Sequence, residues 1–191
     1  MVASTKALSS IEPERVRSFT RAEYAQMIGL GLFEGERVEL IQGVLVKMSP
    51  QYPPHASTVQ RLTQLLAIRL QGRFTLRIQL PLALADDTEP EPDVAVVALG
   101  DYDDEHPTTA LLVIEVSDSS LKADRRKAAI YARAGIVEYW IVNLDARTVE
   151  VYAAPDGERY AEVRTLRVGE TARPTQLGGV EVEVAAMLPK R

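Results

Sequence analysis

Apolar and polar residues alternate with the two-residue period of β-strands in several parts of the chain. The segments 37–41 and 44–48 alternate around the pair Gln42-Gly43, which supplies a turn, so a hairpin is predicted there. The same alternation over 74–82 predicts one long strand. A polar, acidic loop follows, and the apolar run that begins at Pro92-Asp93 predicts a short strand.

Two other segments have the spacing of amphipathic helices. The first begins at Thr20, because Thr20 and Glu23 form the Ser/Thr-x-x-Glu capping box. The second is predicted from His55 to about Gln71, with an apolar inner face made of Val59, Leu62, Leu66 and Leu70.

The strongest single pattern is the nearly continuous apolar run Leu111–Val116, which predicts a strand that is covered on both faces. Ser119 or Ser120 can cap a helix over 121–134, and a strand over 137–143 follows. This unit is long enough for a parallel crossover. We therefore predict an α/β (α+β) fold in which helices flank a central mixed sheet. A loose N-terminal arm, residues 1–17, would precede a single domain over 18–191, with extra strands at its C-terminal end.

Composition limits the classes of protein that the chain can represent. It has 191 residues, no cysteine, and a net charge of −5 from 22 basic and 27 acidic residues. The lack of cysteine excludes disulfides, a thiol nucleophile and thiolate-bound metals. No apolar stretch approaches the ~18 residues of a spanning helix, and the polar N-terminus does not resemble a signal peptide, so we expect a cytoplasmic protein without a membrane partner. The acidic balance counts mildly against electrostatic coating of nucleic acid.

Glu115 is the residue that most needs a chemical explanation. A carboxylate near the end of a buried strand is costly unless a metal ion or a lysine compensates for its lost hydration. Asp93 begins another short strand, and if the two strands are neighbours both carboxylates can face one point. Hard oxygen ligands of this kind suit Mg²⁺ or Mn²⁺. A nearby ammonium group would stabilise charge that develops on a phosphoryl group.

These residues also carry a resemblance. Pro92-Asp93, followed by Glu115 within Leu-Val-Ile-Glu-Val, resembles the PD-(D/E)XK nuclease pattern, although Ser117 stands where that pattern has lysine. The surrounding strings, from Val38-Glu39-Leu40 to Glu138-Tyr139-Trp140, are similar to those of Uma-two-type restriction endonucleases in that superfamily. In that family the lysine is displaced onto the following helix, where Lys127 stands here. The resemblance spans about residues 20 to 153.

The resemblance implies a restriction-endonuclease-like core and a magnesium-dependent endonuclease, with Mn²⁺ as a substitute. Asp93, Glu115 and the backbone carbonyl of Val116 would bind the metal, and Lys127 would orient the attacking water or stabilise the transition state. Additional site residues would be Glu39, His55 and Asp124. The substrate would be a nucleic acid, with DNA favoured, and a homodimer fits the many nucleases of this type that pair to cut both strands.

Plainer interpretations remain open at each position. Glu115 can be a buried acid that Lys127 merely neutralises, Glu39 can face solvent, and His55 can be a surface or capping residue. Asp124 suits the first turn of a helix through the helix dipole alone.

Two other functions also remain open. An inactive nuclease-like binding or scaffold module is motivated by Ser117 and the acidic charge. A magnesium-dependent hydrolase of a smaller phosphate ester is motivated by the lack of a basic, aromatic-rich stripe.

Overall fold

The computed structural model describes residues 16–190 of the chain. By their internal contacts the residues fall into two compact units. Among the described residues, the first comprises 16–48 together with Ala85–Pro90, and the second comprises Ser49–Leu84 together with 91–190. Most of the predicted N-terminal arm lies outside the described residues. The single domain over 18–191 stays a prediction.

The first unit contains a short helix and the predicted hairpin. Helix α1 (Arg21–Gly29) begins after Thr20, whose hydroxyl accepts from the Glu23 N–H at 3.2 Å while the Glu23 carboxylate accepts from the Thr20 N–H at 3.0 Å. Strands β1 (Val38–Ile41) and β2 (Val44–Lys47) pair antiparallel around Gln42 and Gly43. Both turn residues have positive φ, 50° and 75°, as the tight turn of a hairpin requires. The capping box and the hairpin are therefore confirmed.

The second unit is built on a six-stranded sheet in the order β3-β4-β5-β6-β7-β8. Strands β5 and β6 are parallel, and every other neighbouring pair is antiparallel. The predicted mixed sheet is thus confirmed. The bounds of its strands are β3 (Thr75–Ile78), β4 (Val94–Val97), β5 (Leu112–Ser117), β6 (Glu138–Asn143), β7 (Thr148–Asp156) and β8 (Arg159–Arg167).

Helices cover both faces of this sheet. Leu62 and Leu66 of helix α2 (Pro53–Leu70) share one buried cluster with Trp140, whereas Tyr131 of helix α3 (Leu121–Arg133) shares another with Tyr139. All five side chains are fully or almost fully buried. Alternate residues of β6 therefore pack into opposite layers, as expected for a strand that is covered on both sides. Of the helices within residues 16–190, none is long and apolar enough to cross a bilayer.

Smaller elements complete the second unit. These are β9 (Thr171–Ala172), β10 (Val182–Glu183) and helix α4 (Val184–Met187). Strands β9 and β10 pair antiparallel, and the buried Val184 and Met187 of α4 join the cluster that contains α2. The C-terminal segment therefore closes the core on the α2 side of the sheet.

The crossover β5–α3–β6 fixes the direction in which Glu115 points. Glu115 and Val113 are two residues apart on β5, so their side chains share one face of the sheet. Val113 packs in the cluster that contains α3. Glu115 therefore points toward α3, and Lys127 lies in the middle of that helix. The predicted parallel crossover is confirmed.

The predicted long strand over 74–82 is too long. Strand β3 ends at Ile78 because Gln79 adopts a left-handed backbone conformation with φ 51°, which no regular strand continues. Pro81 follows, and it has no N–H to donate to a strand neighbour. The Gln79 N–H donates to the Asp93 carbonyl at 3.2 Å, so the chain leaves the sheet directly beside Asp93.

Candidate active site

Asp93 and Glu115 lie side by side on neighbouring strands. The antiparallel register of β4 and β5 sets Val94 opposite Ile114, and the next residue pair outward is Asp93 and Glu115. The Asp93 N–H donates to Glu115 Oε2 at 3.2 Å, and the Val116 N–H donates to Asp93 Oδ2 at 2.8 Å. Only 7% of Asp93 and 5% of Glu115 is exposed. The backbone N–H groups of Asp93 and Val116 thus connect the two buried carboxylates.

Helix α3 brings two donors to Glu115. Lys127 Nζ lies 3.2 Å from Glu115 Oε1, and the Tyr131 hydroxyl donates to the same oxygen at 3.0 Å. The two donors are four residues apart, so they lie one above the other on one face of the helix. Tyr131 is fully buried, and 16% of the Lys127 side chain is exposed. The structure therefore brings Asp93, Glu115 and Lys127 together.

Asp93 receives two further side-chain donors. His55 Nε2 lies 3.0 Å from Asp93 Oδ2, and the Gln79 side-chain amide donates to Asp93 Oδ1 at 3.1 Å. His55 stands in the first turn of α2, where Pro53 and Pro54 suit the opening positions because the first N–H groups of a helix have no intrahelical partner. His55 thus contacts the acid pair, and 16% of its side chain is exposed.

The surroundings of His55 favour its charged form. Burial lowers the pKa of His55, but the hydrogen bond to Asp93 and the negative charges of Asp93 and Glu115 raise it more, so the net pKa lies above the ordinary value. An imidazolium at this position would add a second positive charge beside the carboxylates. The acid pair is thus contacted by His55 from α2 and by the ammonium group of Lys127 from α3.

Asp124, one of the additional candidates, forms a different set of contacts. The Ser120 hydroxyl donates to Asp124 Oδ2 at 2.5 Å, and the Tyr139 hydroxyl donates to the Asp124 carbonyl at 2.9 Å. Burial raises the pKa of Asp124, against the lowering effect of the Ser120 hydrogen bond and the Lys127 charge. These contacts hold the first turn of α3, the helix that carries Lys127. Its role as a site residue stays a prediction.

Glu39 belongs to the first unit, where only 4% of it is exposed. The alternative of a solvent-facing acid is therefore wrong. The alternation of Glu39 with Val38 and Leu40 suggested an exposed face, but in the structure all three residues are buried. A role for Glu39 as an additional acid of the site stays a prediction.

Position 117, where the parent motif has lysine, holds a buried serine. Ser117 is 1% exposed and ends strand β5. The side chain at this position can therefore supply no positive charge to Glu115. The ammonium group that reaches Glu115 belongs to Lys127 on α3, as the family resemblance implies.

The oxygen atoms of the acid pair fit a hard divalent cation. A carboxylate has about four acceptor positions, and Asp93 and Glu115 each accept at least three hydrogen bonds. Each acid is therefore held in one orientation and offers few free positions. Mg²⁺ keeps several waters and uses only one or two carboxylates, so a bound ion would need a single free oxygen position on each acid. Among residues 16–190 there is no group of three or more histidine or acidic side chains that could hold a metal ion.

Sequence reasoning missed two residues that contact the acids, Gln79 and Tyr131. Tyr131 carries a readable signal, since it lies one helical turn beyond Lys127 and so shares its face. Gln79 carries none, because its contact depends on the left-handed backbone at a position that alternation assigned to a strand.

Comparisons with known proteins identify the fold and the family of the chain. No curated protein matches the chain. A crystal structure of a putative nuclease belonging to DUF820 from Anabaena variabilis ATCC 29413 superposes with a TM-score of 0.71 at 14% identity, over 88% of this chain and 97% of that chain. At this identity the likeness shows the fold, and it confirms the predicted nuclease-like architecture. The model of the Uma2 family, described as "putative restriction endonuclease", matches residues 21–186. The match covers most of the chain, which therefore belongs to the Uma2 family.

Proposed function

We propose that this protein is a metal-dependent phosphodiester hydrolase that cuts DNA as an endonuclease. Family membership supports a nuclease function. The observation that carries the proposal is the meeting of two buried acids from neighbouring strands with one ammonium group from the crossover helix, at Asp93, Glu115 and Lys127. In two separate buried salt bridges the acids need not meet, whereas here the Asp93 N–H donates to Glu115 and the N–H of the residue after Glu115 donates to Asp93.

The metal ligands in this proposal are the carboxylates of Asp93 and Glu115 and the backbone carbonyl of Val116. Bound Mg²⁺, or Mn²⁺ in its place, would supply an activated water and a positive charge for a phosphate oxygen. Val116 belongs to the same set because its N–H already donates to Asp93 Oδ2. The protein's own part is to hold the two acids in fixed orientations before any ligand arrives.

Lys127 has the role of a positive charge at the reacting phosphate. Its ammonium group lies 3.2 Å from Glu115 Oε1, so it stands at the edge of the acid pair, and its side chain is partly exposed. A cation in a largely dehydrated site stabilises the negative charge that develops on a phosphoryl group. Tyr131 and Asp124 keep it there. Tyr131 shares its acceptor oxygen, and Asp124 fixes the first turn of its helix.

His55 and Gln79 orient Asp93 in this proposal. The three donors to its carboxylate come from α2, from the end of β3 and from β5. A carboxylate that is held from three directions cannot rotate freely, and preorganised ligands of this kind support both metal binding and catalysis. A protonated His55 would also contribute positive charge beside Asp93.

The proposed substrate is DNA, and the proposed protein is a cytoplasmic homodimer. The net charge of −5 argues against extensive electrostatic wrapping of DNA, so binding would depend on the metal and on local cations. A homodimer would offer one site to each strand of a duplex. A cytoplasmic location fits the absence of cysteine.

The test of this proposal is cleavage of supercoiled plasmid by the purified protein with Mg²⁺ or Mn²⁺. The wild type should nick or linearise the plasmid, and Glu115→Gln should abolish cleavage. Glu150→Gln is a matched control, because Glu150 lies in the same row across the sheet through Ile141 and is equally buried, but pairs with Arg125. Equal activity of the wild type and Glu115→Gln would refute the assigned site.

The alternative functions make different predictions in the same preparation. Turnover of nucleotides or simple phosphate esters, without salt-sensitive affinity for a duplex, would favour a hydrolase of a smaller phosphate ester over a DNA endonuclease. No metal binding by calorimetry at millimolar Mg²⁺ or Mn²⁺ would favour an inactive binding or scaffold module.

A further inference from the structure

Strand β8 leaves one long edge of the sheet open. It is nine residues long and is the last strand in the sheet order, so its outer edge has no strand partner among residues 16–190. The five residues Ala161–Thr165 are all exposed. Unpaired N–H and C=O groups along such an edge are a template for pairing with another chain. The opposite edge strand, β3, has only four residues.

The side chains in the middle of β8 form a simple charge pattern. Glu162 and Arg164 are two residues apart, so they share one face of the strand, and Val163 points to the other face with 56% of its surface exposed. Neither Glu162 nor Arg164 takes part in an ion pair within the described part of the chain. Two opposite charges thus stand on either side of an exposed apolar residue.

We propose that two copies of this protein pair through their β8 strands, antiparallel and centred on Val163. A two-fold axis at Val163 sets Glu162 opposite Arg164 of the second copy, and Arg164 opposite Glu162 of the second copy. Both ion pairs lie on one face of the joined sheet, and the two Val163 side chains meet on the other. The edge is therefore complementary to itself.

Other registers lack this match. An axis at Glu162 would set that carboxylate opposite its own copy, and an axis at Arg164 would do the same with two guanidinium groups. Like charges directly opposite each other destabilise a strand pair. The Val163 register does set Arg159 opposite Arg167 of the second copy at the ends. Both are exposed to solvent, and Arg159 lies 3.3 Å from Asp156 of its own chain. The favourable pairs are central and the unfavourable ones are peripheral.

This interface would supply the homodimer that the proposed function includes, but it shares no residue with the acid pair. The residues that carry it belong to β8, three strands away from β5 and Glu115 in the sheet order. A protein that fails to cleave plasmid could still dimerise through β8. A monomeric protein could still cleave plasmid at the acid pair.

The experiment is sedimentation velocity on the full chain over a range of protein concentrations, with the variants Glu162→Arg and Arg164→Glu. Wild type should be a dimer. Each single charge reversal should weaken dimerisation about tenfold or more, because it places like charges opposite each other twice. Equimolar mixing of the two variants should restore a dimer, since an edge with two arginines then meets an edge with two glutamates.

Controls separate this interface from a general charge or folding effect. Glu105→Arg makes the same charge change in an exposed loop and should remain dimeric. Far-ultraviolet circular dichroism should be unchanged in all variants, because the substituted side chains are exposed. A wild type that stays monomeric at about 100 µM would overturn the proposal, and so would a dimer that is indifferent to both reversals or a variant mixture that stays monomeric.

Discussion

Asp93 and Glu115 are joined by two hydrogen bonds from backbone N–H groups. The Asp93 N–H donates to Glu115 Oε2 at 3.2 Å, and the residue after Glu115, Val116, returns a hydrogen bond to Asp93 Oδ2 at 2.8 Å. Two like charges that are held together in a buried place repel each other strongly unless cations offset them. The ammonium group of Lys127 supplies part of such an offset in the protein alone, and a divalent cation would supply it more fully.

Lys127→Met should separate metal binding from catalysis. The ammonium group repels a divalent cation at the acid pair, so its removal should raise the affinity for Mn²⁺ severalfold by calorimetry. Phosphodiester cleavage should fall by about 10²-fold or more, because the charge that stabilises the phosphoryl group is lost. Lys122→Met is the control. Lys122 lies on the same helix and is exposed, so both quantities should stay unchanged. Unchanged cleavage in Lys127→Met would contradict the assigned role.

Gln79→Gly should loosen Asp93 without disturbing the backbone. Glycine adopts the left-handed conformation at position 79 readily, so the substitution removes the amide that donates to Asp93 Oδ1 and little else. Cleavage should fall by about three- to tenfold, measured as kcat at saturating metal. Gln71→Gly provides the matched control, because Gln71 has the same φ of 51° at the end of α2 and should tolerate glycine with full activity. Equal losses in the two variants would point to a general effect on folding.

Tyr131→Phe should reduce activity while leaving the core packed. The phenyl ring fills the same space, but Glu115 Oε1 loses a donor that lies at 3.0 Å. We expect a fall in kcat of about tenfold, because Glu115 is held less firmly. Tyr160→Phe is the comparison, since its hydroxyl donates at 2.8 Å to the Ile136 carbonyl away from the acids. That variant should lose some stability and keep its activity. The reverse pattern would exclude a positioning role for Tyr131.

The pair Arg125–Glu150 should stabilise the fold in a pH-dependent way. The hydrogen bond from Arg125 lowers the pKa of Glu150, against the raising effect of burial. A lowered folded-state pKa contributes stability above the unfolded value, and that stability is lost as the pH falls through the folded value. Arg125 is 53% exposed, so the contribution is small, about 0.2–1 kcal/mol.

Urea unfolding of wild type and Arg125→Met tests this ion pair. The two proteins should differ in the free energy of unfolding at pH 7, and the difference should shrink as the pH falls below about 4. A difference that is as large at pH 3 as at pH 7 would mean that Arg125 stabilises the fold by packing alone.

The sequence predicted the acid pair because the two positions have strong local signals. Asp93 directly precedes an apolar strand, and Glu115 interrupts an apolar run that predicts a strand covered on both faces. The two acids therefore lie close together if β4 and β5 are neighbours, as they are in the sheet. Lys127 followed from the resemblance to a family that displaces the lysine. The parallel crossover then set the face of α3 that reaches Glu115.

The rest of the site depends on features that one-dimensional patterns do not carry. The Gln79 contact arises where β3 stops early, and a left-handed glutamine in an alternating segment gives no warning. The burial of Glu39 stayed open because alternation favours solvent for the residue between Val38 and Leu40, whereas all three residues are buried. His55 was placed near a helix start, but its approach to Asp93 depends on how α2 packs on the sheet.

We propose that Asp93 and Glu115 together bind one hard divalent cation. A crystal structure of the wild-type protein grown with millimolar Mn²⁺, with data collected at a wavelength where manganese scatters anomalously, tests it most directly. We predict an anomalous peak within coordination distance, about 2.0–2.3 Å, of one carboxylate oxygen from each acid. A map that has no peak there, or has its peak elsewhere while Lys127 still lies against Glu115, would contradict the claim.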